Sequence, residues 1–256
     1  MFPTRNDPLA VLAADETVTV AVLAAREEID ALLWRRDVRG AAAEVATASI
    51  QRGARDSAAL DGADVAVSEE SPMGRVLEAA LRLTAAVPTQ TDVFTGAPLQ
   101  AWAHLHALTA HGFVPAEDLG RPRSGEALDD PLNLGAVIPA TAAAERLAML
   151  AQTLTAPTEA PAIVVAAIAH AELATVRPFA WGSGLLARAS TRLVLASRGV
   201  DPSLFSIPEH GMLEQGRPAY VRALKAYSSG TREGVTEFIV WHAVSVAMGA
   251  RAVVVP

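Results

Sequence analysis

The chain has 256 residues, enough for one large domain or a domain with an appended helical region, and is 51% hydrophobic but only 5% aromatic. Its net charge is −7, whereas nucleic-acid-binding proteins usually carry a clustered basic face. We therefore expect no nucleic-acid partner. It has no cysteine, which excludes disulfides, thiolate metal sites and thiol nucleophiles and agrees with a cytoplasmic location. The most apolar stretch, residues 160–169, is about half the length of a membrane-spanning helix, so we expect no membrane association.

Alanine-rich segments with few alternating strand patterns predict an all-α fold. Residues 1–15 are predicted to form a loosely ordered leader, followed by helices over 17–34 and 41–60. The second helix is predicted to be interrupted or kinked near Gly53 and to end at Asp61-Gly62. Ser71-Pro72 predicts a capped helix start, and Pro88 predicts the end of that helix and a loop over 88–98.

A helix over 99–111 is predicted next, and residues 113–139 then form the longest irregular stretch, rich in Pro, Gly, Arg and Asp. A run of this length inside a compact domain is often a lid or a binding loop. Further helices are predicted over residues 141–155, 159–176, 183–198, 217–227 and 235–250. The helix over 159–176 is the most apolar, so we expect it at the centre of the fold.

The turn in VRPFAWGSGLLARA is the first candidate site. Arg177 precedes a proline and is expected to end its helix, after which Gly182 and Gly184 allow a sharp turn. Ser183 is predicted to cap the next helix, whose free amide groups bind anions readily. Arg188 could reach the same anion, although an ordinary helix cap remains the alternative. No Lys-Ser or Lys-Thr follows the glycines, so the turn is not a P-loop.

The stretch IAHAELATVRPFAWGSGLLAR resembles the signature region of Fic (Fido) proteins, which reads His-Pro-Phe-x-Asp/Glu-Gly-Asn-Gly-Arg-x-x-Arg. The loop GRPR, the segment GAVIPATAAAERLAML and the segment RPAYVRALKAYSSG resemble the flap, the following helix and the C-terminal part of that fold. The resemblance implies a Fic-like helical bundle over residues 70–250, with residues 1–69 as an N-terminal helical extension. It also implies a flap over 113–139, and leaves open whether that flap is a short β-hairpin.

The signature is degenerate at the positions that carry the family's chemistry. Arg177 stands at the position of the catalytic histidine, and a guanidinium cannot accept a proton, so we expect no catalytic residue. Trp181 replaces the carboxylate that holds Mg²⁺ in the family, so we expect no bound metal and interpret the ring as a packing plug. Ser183 and Leu185 replace two phosphate contacts of the family. His170, which matches a histidine before the motif, is interpreted as a core residue.

The residues that shape the turn are retained. They are Pro178, Phe179, Gly182 and Gly184, together with the second arginine of the motif, Arg188. The resemblance therefore implies that a phosphate-containing ligand such as ATP would bind through Gly182, Ser183, Gly184 and Arg188.

A second resemblance lies upstream, in Ser57-Ala-Ala-Leu-Asp61-Gly62. Many Fic proteins carry an inhibitory helix with Ser/Thr-x-x-x-Glu-Gly/Asn, whose glutamate pairs with the second arginine of the motif. The resemblance implies a regulatory role for Ser57, Asp61 and Gly62 and an ion pair between Asp61 and Arg188. Since Asp is one methylene shorter than Glu, we expect this pair to be strained or bridged by water. A plain helix end at Asp61-Gly62 is the alternative.

Three functions are compatible with the sequence. The first is a Fic-fold protein that has lost nucleotidyl (AMP) transfer and acts as a regulatory or nucleotide- or anion-binding module. The second is a protein-modifying transferase with altered chemistry and an unidentified base, which holds a protein target segment at the flap, residues 113–139. The third is a ligand-free interaction or dimerisation scaffold, and a homodimer is an expected partner state.

Overall fold

The computed structural model describes residues 7–63 and 72–256; the predicted cap at Ser71 and the predicted boundary between residues 69 and 70 lie outside them. The described residues contain α-helices, one turn of 3-10 helix at Ala116–Asp118 and no β-strand, which confirms the all-α prediction. In chain order the helices are α1 (Pro8–Ala13), α2 (Glu16–Trp34), α3 (Arg36–Gly40), α4 (Ala42–Leu60), α5 (Pro72–Gly96), α6 (Pro98–Ala110), α7 (Ala140–Thr155), α8 (Ala162–Val176), α9 (Ser183–Ser197), α10 (Pro208–Glu214), α11 (Arg217–Ser228) and α12 (Arg232–Arg251).

The N-terminal helices differ from prediction at two places. Part of the predicted leader is the helix α1, because Asp7 caps it through the Ala10 amide at 3.0 Å and also accepts a hydrogen bond from the Thr158 hydroxyl. This distant anchor orders a segment too short to be stable alone. The predicted interruption at Gly53 is also wrong, since α4 runs unbroken through that glycine.

Pro88 does not end its helix, and the predicted loop over 88–98 is replaced by the last turns of α5 and the start of α6. A proline inside a helix costs about 3 kcal/mol. The buried face of α5 continues across it, however, from Leu83 and Val87 to Phe94. Phe94 packs edge-on against Trp102 at 5.6 Å between ring centroids. We infer that burial of this face outweighs the local cost of the proline.

The centre of the fold is the hairpin of α8 and α9. Helix α8 is buried on nearly every side, as its composition predicts, although it begins at Ala162 rather than at residue 159. Helix α9 is also buried along most of its length and lies between α8, α5 and α4. The turn between α8 and α9 is therefore held in place by most of the bundle.

The flap, residues 113–139, has no helix or strand apart from the single 3-10 turn. The alternative of a β-hairpin is therefore not realised. Among the residues that the structure describes, no helix combines the length and apolar character needed to cross a lipid bilayer.

Candidate functional site

The turn between α8 and α9 has two residues in the left-handed region. Arg177 ends α8 with φ 49° and ψ 62°, and Gly182 precedes α9 with φ 74°. Ser183 is the first residue of α9 rather than its cap, so the predicted capping role is wrong. Its hydroxyl points back into the turn, where it accepts from the Phe179 amide and donates to the Phe179 carbonyl, both at 3.2 Å.

The inner side of the turn is closed by Phe179 and His106. Phe179 is buried, and its ring stacks on His106 at 4.2 Å between centroids. Nδ1 of His106 accepts a hydrogen bond from the Gly120 amide of the flap at 2.9 Å. Burial lowers the pKa of His106 to about 4, so the ring is neutral at pH 7. This histidine joins α6, the flap and the turn.

The side chain of Arg177 binds the flap. Its guanidinium lies 2.9 Å from the Asp130 carboxylate and donates to the carbonyls of Gly135 and Ala136. The Arg177 side chain is 6% exposed and that of Asp130 is 22% exposed, so the pair is largely removed from water. Arg177 thus ties three points of the flap to the end of α8.

Arg123, a residue of the flap, binds in turn to the backbone of the motif. Its side chain is 1% exposed and donates to the Arg177 carbonyl at 2.9 Å and to the Ile138 carbonyl at 2.7 Å. Its own amide donates to the Pro178 carbonyl at 2.8 Å. Arg123 belongs to the GRPR loop, but no pattern in the sequence predicts this role. A buried arginine with carbonyl acceptors on both sides fixes the flap against the motif.

Trp181 is packed rather than free. Its ring stacks face to face on Phe113 of the flap, with 3.8 Å between centroids and a 10° angle between planes. The Arg75 guanidinium also lies over the Phe113 ring, 4.8 Å from its centroid. The Trp181 ring is therefore part of the contact between the turn and the flap.

Arg188 is fully buried and makes a direct ion pair with α4. Its Nε donates to the Ser57 hydroxyl at 2.7 Å, and its NH2 lies 2.7 Å from Oδ2 of Asp61. The ion pair is direct, so the expected bridging water is wrong, because the last turn of α4 comes close enough for the shorter side chain. Burial alone would lower the pKa of Arg188, but the Asp61 carboxylate outweighs it and raises that pKa above its ordinary value.

Glycines allow this close approach. A Cβ on Gly184 would lie 3.3 Å from NH1 of Arg188 and 3.5 Å from a carboxylate oxygen of Asp61. Gly62 follows Asp61, the C-cap of α4, with φ 97°, a conformation that only glycine adopts readily. The structure thus brings together the predicted residues Ser57, Asp61 and Gly62 with the turn and Arg188.

A second buried arginine joins the same two helices. Arg192, one turn beyond Arg188, donates to both carboxylate oxygens of Glu209 at 2.7 and 2.8 Å and to the Ser49 hydroxyl at 3.0 Å. The side chains of Arg192 and Glu209 are 1% and 2% exposed. Gly53 lies under this pair, since a Cβ there would overlap the Arg192 guanidinium. Sequence reasoning missed this anchor, although Arg192 repeats Arg188 at a spacing of four residues.

His170 is a core residue. It is fully buried, and its Nε2 lies 2.7 Å from the Tyr220 hydroxyl and its Nδ1 3.2 Å from the Thr191 hydroxyl. Burial holds the pKa of His170 well below its usual value, and burial raises the pKa of Tyr220 to about 12. Both groups are therefore neutral at pH 7 and belong to the packing behind Arg188.

The outer side of the turn lines a cavity of about 40 Å³. This is room for about three water molecules, whereas small-molecule sites are about 300–1,000 Å³. Burial, together with the neighbouring Asp61 and Asp130, raises the pKa of Asp129 above its ordinary value. The polar and turn residues that line the cavity are Asp61, Asp129, Asp130, Arg177, Trp181, Gly182, Ser183 and Gly184.

The donor set does not fit Mg²⁺. In the described ranges, 7–63 and 72–256, no group of three or more His, Cys, Asp or Glu side chains has an arrangement that could hold a metal ion. Asp61 is paired with Arg188 and Asp130 with Arg177, and the Trp181 side chain beside them offers no oxygen ligand. Asp129 and Asp130 are consecutive acidic residues of the flap. This pair of carboxylates is the sequence feature that could have predicted that they line the cavity.

A helical hairpin whose turn is covered by a long flap and whose second helix grips an N-terminal helix defines a Fic-type fold. The chain is similar to the crystal structure of a Fic family protein from Desulfovibrio desulfuricans G20, with 18% identity over 92% of this chain and 73% of that chain and a TM-score of 0.73. It is also similar to a fragment of Fic-1 from C. elegans, with 16% identity over 96% of this chain and 74% of that chain and a TM-score of 0.63.

Sequence comparison adds nothing to this: no protein-family model matches the chain, and no curated protein matches it. The fold predicted from the resemblance is therefore confirmed by structural similarity. At these levels of identity the similarity establishes the fold.

Proposed function

We propose that this Fic-fold protein has lost nucleotidyl (AMP) transfer and acts as a regulatory or anion-binding module. The observation that carries the proposal is the ion pair between Arg177 and Asp130. A guanidinium stays protonated at any working pH, so Arg177 cannot remove the proton of an attacking hydroxyl. Loss of a general base lowers a rate by about 10²- to 10⁴-fold.

The phosphate side of the turn supports the same proposal. Arg188 is the retained arginine of the motif, and its charge is neutralised by Asp61 at 2.7 Å. The adjoining cavity of about 40 Å³ has no room for a nucleotide. A phosphate-containing ligand, ATP or another, would reach Arg188 and the amides at Gly182–Gly184 only after Asp61 has moved. Binding of such a ligand would then be coupled to displacement of the end of α4.

This coupling defines the regulatory role that we propose for Ser57, Asp61 and Gly62. When the phosphate of a ligand displaces the Asp61 carboxylate, Arg188 exchanges one anionic partner for another. The exchange frees the last turn of α4, while Arg192 continues to hold the middle of that helix through Ser49. Binding of a ligand at the turn would thereby change the conformation of the surface formed by the N-terminal helices.

A transferase with altered chemistry is the second candidate, and Asp129 is the observation that favours it. This carboxylate lines the cavity, and burial raises its pKa, so it accepts a proton more readily than an ordinary aspartate. In this alternative Asp129 is the base that sequence reasoning left unidentified, and a protein target segment binds along the flap.

Labelled-nucleotide transfer tests both candidates. The native chain, incubated with radiolabelled ATP and a cell lysate, is expected to label no protein. A repaired variant carrying Arg177→His, Trp181→Asp, Ser183→Asn and Leu185→Arg, with Asp61→Ala to free Arg188, is expected to regain transfer in the presence of Mg²⁺.

The matched control keeps Arg177 and carries the other four substitutions. It is expected to label at least about a hundredfold less than the full repair, since only the base is missing. Labelling by the native chain would contradict the loss of transfer, and its disappearance on Asp129→Asn would establish the second candidate. Calorimetry with inorganic phosphate and ATP, with and without Mg²⁺, measures the anion binding proposed for Arg188.

A further inference from the structure

Helix α2 is apolar on two opposite faces. One face is buried against the bundle, chiefly against α12, and consists of Val18, Val22, Ala25, Ile29 and Leu32. On the other face Val20 is 63% exposed, Leu23 is 58% exposed and Trp34 is 73% exposed. These three residues, with the exposed Ala24 and Ala31, fall within about 100° of one another around the helix axis. A surface helix of a monomer ordinarily has a single apolar stripe.

The two ends of this outer face carry opposite charges. Glu16 is exposed in the first turn of α2, and Arg36 and Arg39 are exposed just beyond its last turn. Within the described part of the chain none of these three side chains forms an ion pair. The Arg39 guanidinium lies 5.4 Å from the ring centroid of Trp34, which holds the aromatic ring and the charge together at one end.

We infer that the outer face of α2 pairs antiparallel with α2 of a second copy of this chain. The charge pattern is self-complementary only in this orientation, since it places the acidic end of each helix beside the basic end of the other. A two-fold axis at Glu27 sets Val20 against the partner's Trp34 and Leu23 against the partner's Ala31. Glu16 then lies near the partner's Arg39. The same patch serves both subunits, as a two-fold symmetric interface requires.

The centre of the interface contains its one unfavourable contact. At the two-fold axis Glu27 faces the partner's Glu27, so two carboxylates repel each other across the seam. Helix α2 is about 28 Å long, and a single helix pair buries less than the roughly 1,000 Å² of a stable interface. The dimer is therefore weak and depends on protein concentration.

Sedimentation of the full chain over a concentration series tests the dimer. The native chain is expected to shift from monomer to dimer as concentration rises, and Leu23→Asp is expected to keep it monomeric. Glu27→Gln is expected to lower the dissociation constant by about two- to fivefold, because it removes the repulsion at the axis. Met149→Asp, on an equally exposed apolar residue of α7, is the matched control and should leave the equilibrium unchanged. Thermal melts of each variant establish that it is folded.

Cysteine cross-linking tests the orientation, since the chain has no cysteine of its own. A disulfide needs Cα atoms within about 7 Å, so Glu27→Cys is expected to form a covalent dimer alone. Val20→Cys is expected to cross-link only when mixed with Trp34→Cys. A chain that stays monomeric at every concentration overturns the proposal, as does a dimer that survives Leu23→Asp. Cross-linking of Val20→Cys with itself would establish a parallel pair and contradict the antiparallel one.

Discussion

Removing the Asp61 carboxylate leaves the most buried cation of the site without its counter-ion. Arg188 is 0% exposed and Asp61 is 7% exposed, and their charged atoms are 2.7 Å apart. Breaking a buried pair on one side costs about 3–5 kcal/mol. Arg188 keeps its bond to Ser57, and water can enter from the adjoining cavity, so the lower limit applies. We expect Asp61→Ala to lower the free energy of unfolding by about 3 kcal/mol and the melting temperature by about 6–12 °C.

Urea denaturation and thermal melts measure this loss. The matched control is Asp30→Ala, which breaks an ion pair of similar length, 2.9 Å, whose side chains are 46% and 44% exposed. That control should cost less than about 1 kcal/mol. Inorganic phosphate should raise the melting temperature of Asp61→Ala more than that of the native chain, because the vacated Arg188 accepts an anion. A loss below about 1 kcal/mol, equal to the control, would refute the reasoning from burial.

Three further substitutions test other parts of the site. Arg177→Ala removes the flap's main ion pair, so hydrogen exchange over residues 123–138 should accelerate at least about tenfold by mass spectrometry, with α12 unchanged. Gly53→Ala should lower the free energy of unfolding by about 1–3 kcal/mol in urea, although alanine normally favours a helix, because the methyl group overlaps the Arg192 guanidinium. Gly40→Ala, which has open space, is its control. His106 has a pKa of about 4 when folded and about 6.5 when unfolded, so the unfolded chain binds the extra proton between these values and stability falls as pH falls from 6.5 to 4. His106→Asn should reduce that slope by about 1.4 kcal/mol per pH unit.

Local patterns in the sequence predicted the parts of the site that lie within one turn of chain. The end of α8 at Arg177 and the sharp turn at Gly182 follow from short motifs with fixed spacing. The pairing of Asp61 with Arg188, which joins distant segments, was expected only from the resemblance to Fic proteins. Ser183 was placed one position wrong, because a serine before a helix and a serine in its first turn look alike in sequence. Only the orientation of the hydroxyl towards Phe179 distinguishes them.

The contacts that sequence reasoning missed all join distant segments. Arg123 contacts the backbone of Arg177 and Asp130 contacts its side chain, each from about fifty residues away along the chain. No local sequence pattern predicts contacts over such a separation. The same limit explains the helix that continues through Pro88, where tertiary burial of Phe94 outweighs a local breaker. A seven-residue helix such as α10 is likewise fixed by what it packs against rather than by its own propensity.

The two arginines of α9 have a consequence for how this protein could evolve. Arg188 and Arg192 hold α4 through Ser57 and Ser49, which are eight residues apart, so each anchor restrains the helix when the other is lost. A single replacement at either anchor therefore weakens the chain without setting α4 loose.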